Sequence, residues 1–136
     1  FRSVTRSWFQ HSVLPDIIKD AVSKGIKVVI TTDHGTIKVT NPVKVIGDRH
    51  TSTNLRYKLG RNLDYNPKEV FEVRKPAEVR LPSINLTSSY IFATDDDFLV
   101  YPNNYNHFVN YYRNTFQHGG VSLEEMLVPF IIIGKK

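Results

Sequence analysis

The chain has 136 residues, 18 basic against 13 acidic side chains, a formal net charge of +5, 40% hydrophobic residues and no cysteine. That length suits one domain with a core of its own, and the lack of cysteine excludes disulfides and thiolate-held metals. No apolar run approaches the roughly 20 residues that span a bilayer and Phe1-Arg2-Ser3 has no signal-peptide pattern, so a cytoplasmic setting with no membrane partner is expected.

The chain starts with Phe and its only Met is Met126, as expected of a piece of a longer polypeptide. Leu14, Ile17, Ile18, Ala21 and Val22 recur at helical spacing, with Pro15 suited to a first turn and Gly25 to the residue just past the end, which predicts a helix over 13–24 with one apolar face. Ile26 to Ile30 is a short β-branched run, the pattern of a strand covered on both faces. It ends in Thr31-Thr32-Asp33-His34-Gly35. Loops at strand ends are where α/β proteins hold polar groups over a rigid base, so Asp33 and His34 are candidate metal ligands.

Thr36–Thr40 and Val43–Ile46 alternate about the Asn41-Pro42 turn, the pattern of a two-stranded excursion. Thr53–Gly60 also alternates, with Leu55, Tyr57 and Leu59 on one face and Asn54, Arg56 and Lys58 on the other, which predicts a basic polar face. Lys44, Arg49, Arg56, Lys58 and Arg61 stand against the single acid Asp48 in this region. Such a local cationic field favours phosphate-bearing ligands, and Arg49, His50, Arg56 and Lys58 are the candidate substrate-binding residues. Asp48-x-His50 puts both side chains on one face of an extended segment, where they could touch substrate or metal, but ordinary loop hydrogen bonding is the favoured reading.

Asn66-Pro67-Lys68-Glu69 carries helix-start signals and predicts a short helix over 67–73. Pro76 and Pro82 bracket an irregular piece. Residues 85–94 and 98–101 read as a hairpin about Asp95-Asp96-Asp97, three acids best explained as a turn because no calcium-loop spacing follows. Tyr105, Phe108, Val109 and Tyr112 have the spacing of a core-packing helix rather than a base-stacking platform. Ser122-Leu123-Glu124-Glu125 is a capping box opening one helical turn, and Val128–Ile133 reads as a final buried strand. His118, before Gly119-Gly120, is the second histidine in a context built for a site; His11 and His107 have no partner in sequence. There is no H-E-x-x-H, G-x-S-x-G, P-loop or dinucleotide fingerprint.

The strand-T-T-D-H-G pattern followed by H-G-G-V-S-L-E-E-M-L-V-P-F resembles the carboxyl-terminal part of a PglZ domain, a branch of the alkaline phosphatase superfamily, and is close to the effector domain of PorX-type response regulators associated with type IX secretion. The resemblance covers essentially all of residues 1–136. It implies an α/β fold, part of an alkaline phosphatase-like core with a mixed, mainly parallel sheet flanked by helices and a β-hairpin excursion. It also implies zinc, two ions in the intact domain, with Asp33 and His34 on one and His118 on the other. The superfamily's nucleophile has no counterpart here, so no catalytic residue is assigned and the nucleophile is expected outside the chain. The expected activity is that of a metal-dependent phosphodiesterase or phosphatase acting on a phosphodiester or nucleotide, the chain alone being a weak metal binder and a poor or inactive catalyst. Expected partners are a receiver domain and a helical segment of the same polypeptide, and a second copy of the chain. The alternative is a non-catalytic signalling or nucleotide-binding module; a single-strand nucleic-acid binder is a third reading.

Overall fold

The computed structural model describes residues 2–83, 85 and 87–134. The chain divides into two compact units, one made of the residues up to Asp33 together with those from Pro129 onward, the other of His34–Val128. Among the described residues no helix is long and apolar enough to cross a membrane.

The first unit opens with helix α1 (Arg2–His11), which carries no strong sequence signal, and α2 (Leu14–Ser23). Pro15 sits in the first turn of α2, where its missing N–H costs nothing. Gly25, just past the end, takes φ +79°, a conformation open to glycine at little cost. Strand β1 (Val28–Thr31) follows. It pairs antiparallel with the last strand of the chain, Phe130–Ile133, in the register Val28↔Ile133 to Thr31↔Phe130. Within this unit the two strands are not the buried pair that their apolar runs predict, since Val29 is 50% and Ile132 61% exposed.

In the second unit, β2 (Ile37–Lys38) and β3 (Asn41–Lys44) do not pair with each other as the two-stranded excursion requires. After β4 (Tyr57–Gly60) come β5 (Phe71–Val73), a 3-10 turn at Pro76–Val79, β6 (Ser89–Phe92) and β7 (Asp97–Val100), then α3 (Tyr105–Tyr112), β8 (Phe116–Gln117) and α4 (Leu123–Met126). β2 pairs antiparallel with β8, β3 pairs parallel with β7, and β6 lies between β4 and β5, antiparallel to both. The fold is mixed α/β, but among the described pairings only β3 with β7 is parallel, so the mainly parallel sheet is not present.

Two further expectations fail for tertiary reasons. The helix over 67–73 is replaced by a single turn, Glu69 N–H donating to the Asn66 carbonyl at 3.0 Å, after which Phe71–Val73 is captured by the edge of β6. Ladder hydrogen bonds and the Phe71–Phe92 ring contact outweigh weak helix signals. The hairpin about Asp95–Asp97 makes its turn but not its ladder. Leu55 and Arg56 run between the two arms, their carbonyls accepting from Leu99 N–H at 2.7 Å and Ala93 N–H at 2.7 Å. Leu86, part of the expected strand 85–94, lies outside the described residues.

β7 is buried on both faces, which its run of apolar residues fits. Leu99 packs with Val43, Val45, Ile91 and Ala93. Phe98 and Val100 turn the other way, onto Val39 and Val109, with Tyr105 and Tyr112 alongside. The aromatic helix α3 therefore supplies core as its spacing predicts.

The polar face of the Thr53–Gly60 segment is inverted relative to expectation, because Arg56 is 0% and Lys58 1% exposed. Arg56 spends its guanidinium entirely inside the protein. Nε and Nη2 donate to the two carboxylate oxygens of Glu125 at 2.9 and 2.6 Å, Nη2 also reaches the Asp95 carbonyl at 2.9 Å, and Nη1 reaches the carbonyls of Asp97 and Thr94. A bidentate, fully desolvated pair of this kind leaves an uncompensated charge when one partner goes. Replacing either Arg56 or Glu125 by Ala should lower the unfolding free energy by about 3–5 kcal/mol, read from urea denaturation, and the Arg56→Met/Glu125→Leu double variant should lose much less.

Burial pushes the Glu125 carboxyl up, but the hydrogen bonds from Arg56, Ser122 and Gly120 and the Arg56 charge outweigh it and hold the pKa below the ordinary 4.5. A depressed carboxylate stabilises the fold fully above its unfolded value and loses that contribution as pH falls through the folded value. Stability should therefore decline on acidification below about pH 4.5, more steeply in the native chain than in Glu125→Gln, as thermal unfolding across pH 3–6 will show.

Candidate functional site

The structure brings His34 and His118 together. Their rings stack face to face, centroids 3.8 Å apart and planes within 8°. The register explains this. β2 and β8 pair antiparallel, Ile37↔Gln117 and Lys38↔Phe116, which brings the segment before β2, with His34, beside the segment after β8, with His118.

His34 is half-buried and His118 exposed. His34 Nδ1 lies 2.9 Å from the Gly35 carbonyl; a carbonyl can only accept, so Nδ1 carries a proton. That is how a ligating imidazole is ordinarily fixed in one tautomer.

Both flanking glycine signals have a steric cause. Gly35 N–H donates to the Glu125 carbonyl at 2.8 Å, and a Cβ on Gly35 would fall 1.9 Å from the Glu124 carbonyl oxygen. Gly119 takes φ +106°, and a Cβ on Gly120 would come within 2.7 Å of Arg56 Nη2 and 2.8 Å of Glu125 Oε2. Gly120 N–H donates to Glu125 Oε1 at 2.9 Å, and Ser122 Oγ to Oε2 at 2.7 Å. The capping box is thus formed, and its Glu125 carboxylate serves three tasks: it caps α4, pairs with Arg56 and ties down the loop after His118. Arg56 and Glu125 hold this loop from behind. The capping-box pattern marks Glu125 in the sequence; nothing there marks Arg56 as its partner.

The other candidates have local contacts of their own. Asp33 belongs to the first unit, where its carboxylate accepts from Thr32 Oγ1 at 3.3 Å. Asp48 Oδ1 accepts from His50 N–H at 2.8 Å and Thr51 Oγ1 at 3.3 Å, the loop hydrogen bonding that the Asp48-x-His50 spacing also allows. Arg49 and His50 are exposed on that loop. Lys58 lies with its ammonium 4.3 Å from the Tyr101 ring centroid. Asp96 binds Thr40 and Asn41 within the fold. Among the described residues no three His, Asp or Glu side chains gather in a group able to hold a metal ion.

Gly35→Ala should place its methyl against the α4 backbone, lowering stability by at least the 1–3 kcal/mol of an overpacked site and separating the stacked rings. Thermal unfolding and the imidazole proton shifts of His34 and His118 will report the two effects.

A search of curated proteins finds no match. A family model described as the BREX system PglZ alkaline phosphatase-like domain matches residues 3–133, nearly the whole chain, and on that extent the chain belongs to the PglZ family.

Proposed function

We propose that this chain is the carboxyl-terminal part of a metal-dependent phosphohydrolase domain acting on phosphodiesters or nucleotides, the effector of a cytoplasmic, PorX-type response regulator. Membership of an alkaline phosphatase-like family supports the reaction class. The observation that carries the reading within the chain is the stacked pair His34–His118.

Metal–imidazole bonds lie in the ring plane at about 2.0–2.1 Å. Two parallel rings 3.8 Å apart therefore suit two neighbouring ions, one per ring, better than one shared ion, and paired catalytic metals sit about 3.5–4 Å apart. In this reading His34 binds through Nε2, its Nδ1 proton held by Gly35, and His118 takes the second position. Asp33, next to His34 in the chain, joins it as the resemblance implies, and the nucleophile and remaining ligands are supplied by residues outside this chain. Bound zinc would lower the nucleophile's pKa and hold the attacking and leaving oxygens of an in-line transfer. The protein's own contribution is positional: the Arg56–Glu125 pair holds the His118 loop, and the exposed Arg49 and His50 are the groups proposed to meet substrate phosphate.

In the full-length protein, His118→Ala should reduce bound zinc and the hydrolysis of bis-nitrophenyl phosphate by at least the 10–100-fold that loss of an outer-shell partner costs. Unchanged zinc content and turnover would end the enzymatic reading.

A further inference from the structure

A cavity of about 580 Å³ lies in the second unit, walled by the segment from Ile46 to Thr53, by β4 and by the corner between β7 and α3; neither His34 nor His118 lines it. Its volume is in the range of small-molecule pockets, about 300–1,000 Å³. Leu55, Leu99, Phe108 and Tyr112 make most of the wall apolar.

Lys58 is the exception. Its side chain is 99% removed from solvent by the fold, being 1% exposed, yet it lines the cavity. Its ammonium faces the Tyr101 ring and makes no ion pair among the described residues. A ring face offsets only part of the cost of a desolvated cation. Burial accordingly lowers its pKa from 10.5 to about 8.

The other charged groups on the wall are Asp48 and Arg49. The Asp48 carboxylate is turned to its own loop, on His50 N–H and Thr51 Oγ1. Arg49 is exposed and adds to the positive field. Tyr101 is held by its hydroxyl, which donates to the Ser52 carbonyl at 2.8 Å.

The geometry points to a second binding site, for a small organic anion that sets one carboxylate or phosphate on Lys58 and a ring or short aliphatic body against Leu55, Leu99 and Phe108. The anion supplies the counter-charge that the fold withholds, and the apolar wall selects against inorganic ions. This site does not depend on the metal reading of the histidine pair.

Isothermal titration with benzoate, phenyl phosphate and benzyl alcohol tests it. Both anions should bind at pH 7, at least tenfold more tightly than the alcohol, and a preference between them identifies the headgroup. The ligand takes the protonated amine, so anion affinity should hold below about pH 8 and fall about tenfold per pH unit above it, while alcohol binding stays flat. Lys58→Met, which keeps the apolar stem, should abolish anion selectivity, and His118→Ala should leave benzoate affinity unchanged. Should Lys58→Met fail to fold, the pH series on the native protein still decides. Equal affinity for alcohol and anions, pH-independent anion binding, or no binding would overturn the assignment.

Discussion

A buried guanidinium must find acceptors for five N–H groups or bear the cost of a stranded charge, and Arg56 finds them on two separate pieces of chain. Glu125 takes two, and the turn at residues 94–97 offers its carbonyls to the rest. Because Leu55 and Arg56 also run between β6 and β7 as backbone, the same residue links β4, the acidic turn and α4. The Asp95–Asp97 turn, which looks like a solvated feature of no further consequence, then meets Arg56 through its carbonyls while the Asp96 side chain binds Thr40 and Asn41.

The pair reaches the histidines through Glu125. One carboxylate receives Arg56, Ser122 and the Gly120 amide, and the backbone of α4 receives Gly35. His34 and His118 each sit one or two residues from an anchored glycine, so the orientation of two polar rings at the surface is set by a buried ion pair. Preorganisation of this kind, with ligands held by their neighbours rather than by a ligand, is what a metal or phosphate site requires. It also explains why two glycines in succession follow His118: one adopts a positive φ and the other leaves room for the guanidinium and carboxylate.

Positive charge in this chain has two different environments. Arg49 and His50 lie on an exposed loop, as the composition of residues 44–61 suggests. Arg56, just before β4, and Lys58, within it, both turn inward, the first neutralised by Glu125 and the second facing a ring and a cavity. Net charge alone does not distinguish a neutralised cation from one poised for an anion; only the positions of acceptors do.

The sequence by itself determined the features carried by local chemistry. The helix bounded by Pro15 and Gly25, the aromatic core helix after Tyr105, the one-turn helix capped by Ser122 and Glu125, and the paired contexts of His34 and His118 all follow from capping, periodicity and glycine placement, which act over a few residues. Tertiary structure alone decided the pairing of strands. β3 takes β7 rather than β2, residues 71–73 leave a helix start to join β6, and the hairpin opens around Leu55–Arg56, because ladder bonds and buried charges depend on partners distant in the chain. The burial of Arg56 is the clearest case. Alternation places it on a polar face, and only Glu125, 69 residues away, makes it favourable to turn that face inward.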